Sequence, residues 1–132
     1  MVVETERLFV NADFKECRIC RDVLSLGKFH PRKDTGHGYR SECKGCVRNI
    51  RLKHRYGLQP YEYEEMLEAQ EGCCDICGKH SSKFKIELSV DHCHVSGKVR
   101  SLLCGNCNTA IGLLKHDVDI TRSAIAYLNK HK

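Results

Sequence analysis

The chemistry in this 132-residue chain is concentrated in four consecutive residues, Asp91-His92-Cys93-His94, and in Asn108, which directly follows a cysteine. A carboxylate oxygen and an amide oxygen are hard donors suited to Mg2+, which keeps several waters and also takes phosphate oxygens. An imidazole that is neutral near pH 7 is the natural base to accept a proton from an attacking water. The set therefore points to hydrolysis of a phosphate ester, with Asp91 and Asn108 holding one Mg2+ (or Mn2+) and His92 acting as base. By itself an Asp-His pair reads as an ordinary strand end; its frame makes the difference.

That frame is cysteine. Eight of the ten cysteines form four Cys-x2-Cys pairs: Cys17 and Cys20, Cys43 and Cys46, Cys74 and Cys77, Cys104 and Cys107. Two thiolates on one tight turn can reach the same ion, so the pattern predicts two structural Zn2+ sites, one per two pairs, rather than disulfides. A four-cysteine site is closed to water and substrate, so hydrolysis falls to the other metal. The remaining thiols, Cys73 and Cys93, read as small buried residues.

The N-terminus lacks a basic start followed by an apolar stretch, and nowhere do 18 apolar residues run together. These features predict a cytoplasmic protein with no membrane association. The formal charge of +5 carries little weight, because each zinc held by four thiolates adds −2 and two such sites bring the whole near neutrality. Distribution is more informative. Lys44, Arg48, Arg51, Lys53 and Arg55 occur without an acid among them, whereas residues 61–75 hold six acids and no base. Lys44, Arg48, Arg51 and Arg55 recur at helical spacing and predict phosphate contact. The acidic stretch reads as a packing or dimer element turned away from DNA.

The elements that must hold these groups give a small α+β zinc protein in three parts. Residues 1–46 form a zinc-knuckle module, a hairpin around Thr35-Gly-His-Gly-Tyr39 with too few apolar residues for a core; Arg7–Val10 reads as a strand or pairing edge. Residues 47–72 carry a basic helix, 47–56, ended by Gly57, and an acidic helix, 60–70, with Tyr63, Met66, Leu67 and Gln70 on one packing face. In residues 73–132 the interval between cysteine pairs is 26 residues, longer than a minimal zinc ribbon of about 15–20. It accommodates a strand in which Ile86, Leu88 and Val90 alternate with polar residues, a Ser96-Gly97 turn, and a return strand from Val99 to Leu103. A helix from Cys107 to Leu114 completes a ββα unit. A last helix, from Asp119 or Thr121 to Asn129, places Ile120, Ala124, Ile125 and Leu128 on its buried side. His30, His37, His54, His80, His116 and His131 fit no partner pattern and are assigned no role.

The stretch from Gly57 to about Tyr127 resembles the phage recombination endonuclease VII family, a branch of the HNH or His-Me finger (ββα-metal) nucleases. The matching residues are Gly57-Leu58, Pro60, Tyr63, Gln70, Gly72, Cys74-x-Ile-Cys77-Gly78, Val90-Asp91-His92-x-His94, Gly97-x-Val-Arg100, Leu102-Leu103-Cys104 and Cys107-Asn108. They continue through Ala110, Gly112-Leu113-Leu114 and Ala126-Tyr127-Leu128. The first module, with Phe29, Gly38-Tyr39 and Cys43-Lys44-x-Cys46, resembles the zinc knuckle in front of phage HNH nucleases. The resemblance implies that Asp91 and Asn108 hold the divalent ion, that His92 is the general base and that His94 contacts or polarises the scissile phosphate. It adds Arg100 to the DNA-binding residues. It implies cleavage of branched DNA such as four-way junctions to 5′-phosphate and 3′-hydroxyl ends, a homodimer, and residence in a host bacterial cytoplasm.

Two positions depart from the family. Cys93 stands where an acid is common, on the opposite face from its neighbours, which spares the chemistry. Ile111 stands where a glutamate assists in some members, which predicts slower catalysis or a weaker hold on the ion. Two other readings fit the same pattern. One is a sequence-specific HNH nuclease of restriction, homing or packaging-associated nicking type. The other is a non-catalytic zinc module that only binds nucleic acid.

Overall fold

The computed structural model describes residues 9–11 and 13–132, in two compact units that divide at Pro60 and Tyr61. Of the expected strand or pairing edge at Arg7–Val10, Arg7 and Leu8 lie outside the described residues.

In the first unit β1 (Phe9–Asn11), β2 (Phe14–Glu16) and β3 (Val23–Ser25) form an antiparallel sheet in chain order. β4 (Phe29–Pro31) and β5 (Tyr39–Cys43) make the expected hairpin, with Phe29 opposite Cys43. A small core does exist here: Cys17, Phe29 and Cys43 are buried, with Leu24, Tyr39 and Cys46 packed against them. Two of its three buried members are thiols of the cysteine pairs, so this core depends on what those thiols bind. Lys15 is buried beside it, its Nζ 4.7 Å from the centre of the Phe29 ring. Burial lowers its pKa, while the neighbouring Cys17 opposes that shift.

Helix α1 (Lys44–Tyr56) begins three residues before the predicted helix, because the Cys43 side chain caps it by accepting from the Cys46 N–H. It ends where predicted. Gly57 adopts φ +68° and its N–H closes the last turn on the Leu52 and Lys53 carbonyls, a conformation that costs a residue with a Cβ.

The second unit has α2 (Pro60–Ala69) at its start. Tyr63 is buried and its hydroxyl donates to the Leu88 carbonyl at 2.7 Å, so the aromatic face is a packing face as the periodicity predicts. Gln70 donates to the Leu102 carbonyl and accepts from the Leu102 N–H, which ties the end of α2 to the hairpin. That hairpin is β6 (Ser89–His92) against β7 (Val99–Leu103), followed by α3 (Gly105–Leu113), which packs on both strands. The strand predicted from Ile86 is shorter than its alternation. Ser89 pairs with Leu103, and the chain then leaves the ladder as Cys104 caps α3, so the β6–β7 ladder stops short of residues 86–88. Leu88 is nonetheless buried, while Ile86 is exposed.

Helix α4 (Val118–Lys130) is capped by the Asp117 carboxylate, which accepts from the N–H groups of Asp119 and Ile120. Its predicted apolar side is not buried within this chain. Ile120, Ile125 and Leu128 are 42%, 56% and 65% exposed and Ala124 is half-buried, so the face marked out by the period stays largely open among the described residues. No helix among the described residues is long and apolar enough to cross a membrane.

Candidate active site

The cysteine pairs converge as their spacing requires. Cys17, Cys20, Cys43 and Cys46 bring four sulfur atoms within 4.8 Å of one another, and Cys74, Cys77, Cys104 and Cys107 do the same. All ten cysteines are free thiols. In each cluster one pair sits on a loop and the other at a helix start: Cys43 and Cys104 cap α1 and α3 and accept from the N–H groups of Cys46 and Cys107. Burial opposes ionisation of Cys17, yet N–H donation from Cys43, Cys20 and Ile19 outweighs it and brings the thiol to about 6. Cys74 is brought to about 6 in the same way by Cys104, Cys77 and Ile76. Burial and the neighbouring thiols push Cys46 and Cys107 up to about 12. Each cluster is thus a nest of N–H donors built for sulfur anions that repel one another, an arrangement a tetrahedral dication completes. Neither unpaired thiol is buried, contrary to expectation: Cys73 and Cys93 are half-exposed, because each follows or precedes a turn rather than a strand face.

The hairpin carries the other chemistry. Asp91 is 4% exposed on β6, and both its oxygens are held by Arg100 on β7: Nε lies 2.5 Å from Oδ2 and Nη2 3.0 Å from Oδ1. The twin N–H fork matches the geometry of a carboxylate and satisfies both oxygens of the buried acid. The same pairing raises the Arg100 pKa further. Next to Asp91, the half-buried His92 ends β6, and its ring stacks on the exposed His94 at 4.9 Å between centres with 9° between planes. The turn from Cys93 to Gly97 sets that stack, with the Gly97 N–H bonded to the Cys93 carbonyl at 2.7 Å. Cys93 accepts from the Ser96 N–H, and Ser96 is the main cause of its thiol falling to about 7. Asn108 is half-buried in the first turn of α3, the helix that packs on both strands, and its N–H bonds the Cys104 carbonyl at 2.9 Å.

His116, which fits no partner pattern in the sequence, belongs to this group. It lies between α3 and α4, its Nδ1 2.8 Å from Arg100 Nη2 and its ring 4.4 Å from that of His94. No spacing rule reaches it, since it joins the hairpin only through the turn between two helices. A cavity of about 320 Å3 opens beside it, lined by Arg100, Ile111 and residues of α4 including Arg122 and Ile125. Ile111, one turn after Asn108, therefore faces an apolar space.

Of the cations expected to meet phosphate, Arg100 is bound to Asp91. Lys44 Nζ donates to the Gly27 carbonyl at 2.8 Å. Arg48 is half-buried on α1, and Arg51 and Arg55 are exposed there.

The model for a family described as recombination endonuclease VII matches residues 49–130, which include the second cysteine cluster, the hairpin, α3 and α4. The Gene 59 protein of Mycobacterium phage D29 is 42% identical over 126 residues, covering 88% of this chain and 74% of that protein. The Gene 59 protein of Mycobacterium phage L5 is 37% identical over 124 residues, covering 86% and 73%. Both alignments extend into the first unit. Among solved structures, the beta-beta-alpha-Me type II restriction endonuclease Hpy99I matches with a TM-score of 0.43 at 29% identity, over 91% of this chain and 67% of that one.

Proposed function

Because this chain belongs to the recombination endonuclease VII family, we propose that it is a metal-dependent DNA endonuclease that resolves branched duplexes, four-way junctions among them, to 5′-phosphate and 3′-hydroxyl ends. The observation that carries this reading is the placement of Asp91 and His92 at the end of β6, with Asn108 on the helix packed over that hairpin.

The donors present fit a hard divalent ion. Asp91 and Asn108 offer oxygen only, and a carboxylate has about four lone-pair sites, so the two N–H bonds from Arg100 leave capacity to ligate. They would hold Mg2+ (or Mn2+), which when bound supplies Lewis-acid stabilisation of the charge that develops on the departing oxygen. In this reading the His92 ring accepts the proton of the attacking water, and stacking against His94 fixes its plane. His94, exposed on the turn, meets the scissile phosphate. Arg100, bonded to both carboxylate oxygens, holds Asp91 in one orientation. Arg48, Arg51 and Arg55 add phosphate contacts from α1, and Lys44 shares that face although its ammonium also ties the Gly27 carbonyl.

Both cysteine clusters are assigned structural Zn2+, which holds each unit together because neither core is large. A homodimer follows from family membership, and the exposed apolar side of α4 supports it.

The test is a substrate panel: the purified chain with Mg2+ on a synthetic four-way junction, a mismatched duplex and a linear duplex. Preferential junction cleavage with no consensus sequence supports the proposal. Discrete sites on linear DNA would replace it with a sequence-specific nuclease, and binding without cleavage of any substrate would leave a DNA-binding module.

A further inference from the structure

We propose, building on the nuclease reading, that His116 is a positioning residue of the site, fixing Arg100 and through it the carboxylate of Asp91.

Four observations converge on this residue. The His116 Nδ1 lies 2.8 Å from Arg100 Nη2, the nitrogen that also donates to Asp91 Oδ1 at 3.0 Å, so one guanidinium nitrogen bridges the imidazole and the carboxylate. Arg100 carries no acceptor, so this contact requires Nδ1 to be the unprotonated, accepting nitrogen and places the ring proton on Nε2. The His116 ring also packs against His94, which stacks on His92, so three imidazoles form a continuous row along the hairpin. His116 Nε2 is buried with no hydrogen-bond partner among the described residues, a cost that a purely structural histidine at a helix end has no reason to carry.

The backbone points the same way. Lys115 and His116 have φ of +56° and +54°, two successive non-glycine residues in the left-handed region. The turn itself needs only a residue that tolerates this conformation: the His116 N–H closes α3 on the Ile111 carbonyl at 2.9 Å. Glycine or asparagine would serve that purpose with less strain. The chain places an imidazole there instead, and the left-handed backbone turns that imidazole to Arg100. Strain held at a residue that touches two members of the site marks a positional demand.

The demand follows from the geometry of Arg100. Its side chain is 39% exposed, and the His116 Nδ1 gives the guanidinium a second anchor besides Asp91. An acceptor on Nη2 fixes the plane of the fork, and with it the orientation of a carboxylate that must present a lone pair in one direction.

Two substitutions separate the side chain from the backbone. Both His116→Gly and His116→Asn suit a φ of +54°, so the turn is preserved in each; only asparagine keeps an oxygen near the position of Nδ1. Two readouts are taken on the full chain. The first is junction cleavage with Mg2+, with kcat and KM separated. The second is the side-chain Nε–H resonance of Arg100 in zinc-loaded, Mg2+-free protein. His116→Gly is expected to lower kcat about 10- to 100-fold with KM nearly unchanged, and to shift and broaden the Arg100 resonance. His116→Asn is expected to retain both within about threefold of wild type. Unchanged kcat in His116→Gly overturns the inference, as does equal loss in both variants. If wild type cuts nothing, the nuclease reading fails, and the resonance alone decides whether His116 fixes Arg100: an unperturbed signal in His116→Gly overturns it.

Discussion

Arg100 on β7 grips both carboxylate oxygens of Asp91 on β6, at 2.5 and 3.0 Å, across the hairpin that carries His92. The side chain of Asp91 is 5% exposed and that of Arg100 39%, so the pair is buried at the acid and open at the base. This asymmetry sets the first prediction. Arg100→Ala leaves the buried Asp91 side chain without its two N–H donors and lowers stability by about 1–3 kcal/mol, less than for a fully buried pair because water reaches the guanidinium side. Arg100→Lys recovers little, since an ammonium cannot reproduce the fork. Urea unfolding of the three proteins checks this; a lysine variant as stable as wild type would show that charge alone matters.

The clusters differ in what their loss disrupts. Cys74→Ser or Cys104→Ser removes a ligand from the cluster that clamps the hairpin to α3, and unfolds the second unit with loss of cleavage. Cys17→Ser breaks the first cluster and leaves the second able to bind its ion. Zinc content is expected to be two per chain in wild type and one in each variant. Full stoichiometry and unchanged melting in Cys74→Ser would refute the assignment.

Cys93 lies between His92 and His94 with a thiol pKa of about 7, set chiefly by Ser96. The lowered value means that the thiolate fraction rises through pH 7 rather than near 9, so alkylation of zinc-loaded protein at Cys93 reaches half its maximal rate near pH 7. Ser96→Ala moves that midpoint upward. Peptide mapping after iodoacetamide treatment reads both, and a midpoint indifferent to the Ser96 substitution would rule out Ser96 as the cause.

Gly72 has φ +72°, and a Cβ placed on it would lie 2.6 Å from His80 Nε2. Gly72→Ala therefore costs about 1–3 kcal/mol, by backbone strain and by displacing the His80 ring. Thermal melting measures it, and an unchanged midpoint would mean that the His80 ring moves freely.

Much of this molecule is legible in its residues alone. Cys-x2-Cys pairs declare their own partners, Gly57 announces a helix end, and Val99 to Leu103 reads as a strand in full. These signals are local: each is set by residues within a few positions of one another. What stays hidden depends on packing. The strand from Ile86 reads as longer than it is because alternation continues past the point where its partner turns away at Cys104. The apolar side of α4 has the period of a buried face but lies exposed in a single chain. Nothing around Lys15 signals that it is buried over Phe29. His116 escapes a reading by spacing because its partners, Arg100 and His94, are 16 and 22 residues away and belong to a different element. Residue type and frame single out Asp91, His92 and Asn108 as candidates in the sequence, whereas the contacts of His116 with Arg100 and His94 come from packing alone.

In the proposed reaction His92 takes the proton from water while a divalent ion supports the hydrolysis. The decisive measurement is single-turnover cleavage of a labelled four-way junction by wild type and by His92→Ala, with Mg2+ and then with EDTA. Wild type should cut with Mg2+ and stop in EDTA, while His92→Ala binds the junction as tightly and cuts about 100- to 10,000-fold more slowly. A His92→Ala protein that cuts at the wild-type rate would remove His92 as the base, and cleavage that persists in EDTA would remove the divalent ion.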